Sequence, residues 1–204
     1  MRRTRLIAVS AVAGLAGVAG AVVLVAALSF RGLAPRTELT EAEHSLLVQV
    51  DDLIPFGVVP RQGRFAETCR AKRNVDGSLE LEYTYDVLNG DSRFTLKSEA
   101  EVCATAADAA ASFRARASAY RLGTRFAGGR GKRWLDQPDL PGVGAANSVG
   151  QVQVDGKPAG SVVVVLQDRT VFSVLLSGVF IDDPADWAAL FAPHLAQAGC
   201  VTVP

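Results

Sequence analysis

Apolar and polar residues alternate over 79–87, where Leu79, Leu81, Tyr83, Tyr85 and Val87 stand against Glu80, Glu82, Thr84 and Asp86. A period of two puts the first set on one face of a strand and the second on the other, so this is a strand with one wet face. Asp76-Gly77 before it and Asn89-Gly90 after it accept the positive φ of two-residue hairpin turns. They predict antiparallel strands near 65–73, 79–87 and 92–98, with Tyr85 facing Phe94 and Tyr83 facing Leu96. A second group of strands is expected at 149–155, 161–167 and 170–181. Val162 to Leu166 is continuously apolar, as in a strand buried on both faces.

Helical spacing appears between and around these runs. Thr40-x-x-Glu43 is a capping box, and Leu39, Ala42, Leu46, Leu47, Val50, Leu53 and Ile54 continue as one apolar stripe until Pro55. Thr105-x-x-Asp108 opens a second helix with the stripe Ala109, Ala110, Phe113, Ala117 and Tyr120, closing near Gly123. Asp183 followed by Pro184 announces a third, which runs to Gly199 and is kinked at Pro193. The stretch 124–145 reads as an irregular loop. The resulting order, α-βββ-α-loop-βββ-α, is an α+β domain with an antiparallel sheet. That order resembles the compact modules found outside bacterial membranes, such as the sensor domain of some actinobacterial receptor kinases and the Mog1/PsbP-like folds. The resemblance covers architecture only and implies no site.

Ahead of this domain, residues 6–30 carry no charge and follow Arg2, Arg3 and Arg5. As a helix such a run spans about 37 Å, enough for the roughly 30 Å hydrocarbon core of a bilayer. Residues 1–5 are then a cytoplasmic tail, 6–30 a transmembrane anchor, 31–38 a stalk and 39–204 an extracytoplasmic domain, since cations favour the cytoplasmic flank. Ala19-Gly20-Ala21 offers the alternative of a cleaved signal peptide and a secreted chain. Val22 to Phe30 stays apolar past that point, which favours the retained anchor. Ala13, Gly17 and Ala21 form a small-xxx-small row that can support helix dimerisation, but in so Ala- and Gly-rich a segment such a row is expected by chance, and the oligomeric state is left open.

Charge sharpens the picture. The whole chain has 21 basic and 21 acidic residues, yet with the three N-terminal arginines set aside residues 31–204 carry net −3. Together with a place outside the membrane, this excludes nucleic acid as a partner. Within the domain, no acid stands between Asp108 and Asp136, whereas Arg114, Arg116, Arg121, Arg125, Arg130, Lys132 and Arg133 do, with Trp134 beside them. Arg114, Arg121 and Arg125 recur at helical spacing. This cluster, Arg114, Arg121, Arg125, Arg130, Lys132, Arg133 and Trp134, is the candidate surface for an anionic envelope polymer, a lipid head group or an acidic protein partner.

Other chemistry finds little footing. GxSxG is absent; His44, between Glu43 and Ser45 on a capped helix, reads as a solvated surface residue, and His194, after Pro193, as a partner of the last helix's carboxyl end. Gly128-Gly129-Arg130-Gly131-Lys132 fails as a phosphate loop because Phe126 and Arg133 stand where Gly and Ser or Thr are needed, and Gly142-Val143-Gly144 fails as a dinucleotide turn at Asn147. Asp51-Asp52 and Asp182-Asp183 are acid pairs whose members point apart or cap a helix. No cofactor and no metal are expected, because the cysteines and histidines lack ligand spacing. Cys69, Cys103 and Cys200 leave one odd thiol in an oxidising compartment; Cys69 lies roughly 25 Å along the strands from Cys103, so Cys103–Cys200 is the expected disulfide. The reading is a non-catalytic binding or accessory module of a bacterial envelope, with an envelope enzyme of unrecognised acid/base residues as the alternative.

Overall fold

The computed structural model describes residues 34–61, 63–89, 92–126 and 132–201. The anchor at 6–30 and the N-terminal tail lie outside the described residues, and among these no helix is long and apolar enough to cross a membrane.

The domain is α+β, built on one seven-stranded antiparallel sheet in the order β1-β2-β3-β7-β6-β5-β4. Strands β1 (Arg64–Arg73), β2 (Leu79–Asn89) and β3 (Ser92–Val102) form one meander, and α2 (Ala106–Phe126) carries the chain from β3 to the far edge. There β4 (Lys132–Gln137), β5 (Ala146–Val154), β6 (Lys157–Gln167) and β7 (Thr170–Ser177) return, and β7 closes against β3. Ahead of the sheet stand α1 (Glu41–His44) and a 3-10 helix (Val50–Phe56); behind it comes α3 (Pro184–Ala196).

Alternation sorts the strands between two faces. On one face Leu81, Tyr83, Tyr85, Leu96, Val163, Val165, Phe172 and Val174 meet Leu46, Leu47 and Leu53 of the N-terminal segment and Trp187, Leu190 and Phe191 of α3. On the other, Val162, Val164 and Val171 meet Ala109, with Phe113, Tyr120 and Trp134 packed against them. The Val162–Leu166 run therefore feeds both cores, as a central strand must. Buried polar groups tie the N-terminal segment down: the Ser98 hydroxyl accepts from the Val48 amide at 2.9 Å, and the Tyr83 hydroxyl accepts from Val50 at 3.4 Å while donating to Glu67 at 2.9 Å.

Several sequence expectations are corrected. The stripe from Leu39 to Ile54 is not one helix: α1 stops after His44, and a 3-10 helix follows that contains Pro55. Leu46, Leu47, Val50 and Leu53 bury all the same, because tight turns over a sheet serve as well as a helix, whereas Ala42 and Ile54 are exposed. Helix α2 runs through Gly123 to Phe126. Residues 132–137, read as loop, form edge strand β4. The first hairpin has a three-residue connection closed by Asn74 and Ser78, with Gly77 at φ +85° and the Asp76 carboxylate accepting from the Ser78 amide. This pairs Cys69 with Tyr83 on the core face instead of with Thr84. In the second, Asn89 pairs with Ser92, so Tyr85 faces Leu96 and Val87 faces Phe94. A shift of two keeps every side chain on its face.

Two glycines separate strain from crowding. A Cβ on Gly77 meets nothing within 4 Å, whereas on Gly178 (φ +84°) it falls 2.2 Å from the Arg93 carbonyl oxygen. Gly77→Ala is expected to cost about 1 kcal/mol, from backbone strain alone. Gly178→Ala should cost clearly more, because the β3 backbone must also move; equal losses in urea unfolding would contradict the packing described.

Candidate functional site

The basic stretch does not form one field. Arg116 falls three residues after Phe113 and four before Tyr120, on the apolar stripe of α2, so it points at the sheet. Its guanidinium lies 2.8 Å from Glu99, 3.0 Å from Glu101 and 3.4 Å from Glu80. Those glutamates occupy the outer face of β2 and β3, where Glu80 faces Glu101 and Glu82 faces Glu99 in the ladder. Like charges directly opposite destabilise a sheet. Cations reach in from both sides: Lys97 lies 2.6 Å from Glu99 and 3.2 Å from Glu82, and Arg70 lies 3.2 Å from Glu82. Ser173 and Tyr120 donate hydroxyls to Glu99 at 3.1 Å, and Ser112 hydrogen-bonds Glu101.

This network has a definite electrostatic outcome. Burial alone pushes the Glu99 carboxyl up, but the Lys97 hydrogen bond, the charges of Arg116 and Lys97 and the Ser173 hydroxyl together bring it below the ordinary glutamate value. The Arg116 side chain is 17% exposed and the Glu99 side chain 11%, so solvent screens the pair weakly.

The other members of the predicted surface are dispersed. Arg121 lies 2.8 Å from Asp136, whose carboxylate also accepts from Trp134 Nε1 at 2.9 Å. Trp134 is half-buried between α2 and the sheet, over Gly150, where a Cβ would lie 1.7 Å from the indole. Alternation along β4 sends Arg133 to the opposite face from Trp134. Arg114 and Arg133 are exposed. Arg130 and the side chains of Arg125 and Lys132 lie outside the described residues.

The cysteines are free, so the expected Cys103–Cys200 bridge is not formed. Cys103 is buried in the core beneath α2, whereas Cys200 is exposed between Ala198 and Val201, which belong to the opposite core. Burial, with Glu101, Asp108 and Asp76 nearby, pushes the Cys103 thiol up to about 11. A thiol so held stays protonated and is a poor nucleophile.

His194, which the sequence left without a role beyond its helix end, is buried. It joins α3 to the N-terminal segment: Nδ1 donates to the Ser45 carbonyl at 2.9 Å, and Nε2 lies 3.5 Å from Asp52. Burial raises the Asp52 carboxyl, but His194 and the Gln49 amide more than offset this and its pKa is lowered. Asp52 is thus held ionised as a structural clasp. Among the described residues, no group of His, Cys, Asp and Glu is placed to hold a metal ion.

No protein-family model, curated protein or solved structure matches the chain.

The network makes two measurable statements. Arg116→Met is expected to destabilise the domain by about 3–5 kcal/mol, because it leaves buried carboxylates uncompensated. Glu99 has a folded pKa below its unfolded one, so its contribution is present above the ordinary glutamate range and disappears as pH falls through the folded value. Glu99→Gln should therefore lose less stability than the parent when the pH is lowered through that window; an unchanged acid limb in urea titrations would contradict the assignment.

Proposed function

We propose that the protein is a non-catalytic binding or accessory module of a bacterial cell envelope, with residues 6–30 in the membrane and 39–204 outside. The observation that carries this reading is the uncharged run directly behind Arg2, Arg3 and Arg5, which has the length and flanking charge of an anchor with a cytoplasmic N-terminus. The domain adds support of a different kind. The groups suited to moving protons at the helix–sheet contact and around His194 hold elements to one another. Binding to anionic envelope material or an acidic partner remains the finer proposal for the basic stretch, of whose described members Arg114, Arg121 and Arg133 are exposed.

Added protease is expected to cut the 39–204 domain in intact spheroplasts; protection until lysis would reverse the orientation. Intact mass should show the N-terminal segment retained, whereas a chain beginning just after Ala21 would make it a signal peptide. Replacing Arg121, Arg125, Arg130 and Arg133 with Gln should weaken retention on phosphatidylglycerol vesicles roughly tenfold or more at low salt. Unchanged retention would reduce the stretch to a solvated surface.

A further inference from the structure

A groove of about 260 Å³ opens where the start of α3 passes the β4–β5 edge of the sheet. Its walls are apolar and fixed. Leu140 stands on one side, in a loop held by Asn147, whose amide oxygen accepts from Leu140 N at 2.7 Å and whose nitrogen donates to the carbonyls of Leu140 and Val143 at 2.9 and 3.0 Å. Trp187 stands on the other, its indole donating to Ile181 O at 3.1 Å, with the Phe180 ring 38% exposed at the rim. Polar groups converge from the sheet: Gln151 and Ser161 face each other across β5 and β6 and both line the groove, as does Gln137 of β4. Ser161 is 3% exposed. Among the described residues, the one charged lining residue is Asp182.

This chemistry selects a ligand class. Amides and a hydroxyl both donate and accept, so they match groups that do the same, and a lone carboxylate accepts from hydroxyls. A lining without a cation does not suit an anion. Aromatic and aliphatic walls require an apolar face on the same molecule. A pyranose ring combines an apolar C–H face with a rim of hydroxyls, and the volume holds one ring and part of the next. We propose that this groove binds a neutral oligosaccharide, with Gln151, Ser161 and Asp182 meeting hydroxyls and the exposed Phe180 meeting a ring face, while the buried Trp187 forms the floor. The site is separate from the basic stretch and does not depend on the membrane reading.

The test uses the full chain in a sugar-free detergent, with Trp134→Phe leaving Trp187 as the emitting indole. Chitotriose, maltotriose and mannotriose are titrated against its fluorescence. At least one should shift the emission saturably, and Ser161→Ala and Gln151→Ala should each weaken that response about tenfold, the effect of losing one buried hydrogen bond. Ser161→Ala removes a single oxygen, so it keeps the test intact should the Gln151 variant not fold. No response to any of the sugars, a response untouched by both variants, or tighter binding of an acidic oligosaccharide such as trigalacturonate would overturn the assignment.

Discussion

The contact on which most of the architecture leans is that between Arg116 and the glutamates of β2 and β3. Two glutamates on one strand face two on the next, an arrangement the ladder alone disfavours. Lys97 lies along β3, Arg70 reaches across from β1, and Arg116 descends from α2 onto Glu80, Glu99 and Glu101. The helix and the sheet therefore need each other electrostatically. Because α2 leads from β3 to the opposite edge, its placement also determines where β4 begins and hence how the second meander, through β7, meets β3.

The two faces of the sheet solve the burial problem differently. Beneath α2 the apolar core is small and its neighbour is a charged lattice extending over β1–β3. On the other face the core is large and the covering chain is irregular, a short helix, a 3-10 helix and α3. Irregular cover leaves backbone groups that need partners, and Ser98, Tyr83 and His194 supply them. The buried polar residues on that face are thus the clasps that let non-helical chain lie on a sheet.

The alternation of β2, the central Val162–Leu166 run and the caps at Thr40, Thr105 and Asp183 were legible because each is a local rule. Edge strand β4 was not: Lys132-Arg133-Trp134-Leu135-Asp136-Gln137 carries charge on both faces, as edges often do, and its pairing is visible only in three dimensions. The first hairpin slipped by one because Asp76-Gly77 serves equally in a three-residue connection. Arg116 was grouped with other cations by sequence neighbourhood, although its spacing from Phe113 and Tyr120 already set it on the buried stripe. The Gln151–Ser161 pair gave no signal, since both read as ordinary polar strand residues and only the passage of α3 past the sheet edge turns them into a lining.

Net charge, which is zero for the whole chain, hides how charge is used here. Opposite charges paired in this lattice contribute to helix placement, and only their uncompensated remainder acts at long range. Removing Arg116 and its glutamates from the tally leaves the exposed surface with a different balance from the composition, and Arg121 with Asp136 is a second cancellation at the β4 edge. What the domain presents to a partner is therefore decided by the residues left over after internal pairing. By that criterion Arg114 and Arg133 belong to the charged surface, and the neutral groove beside α3 belongs to a chemistry that composition does not register.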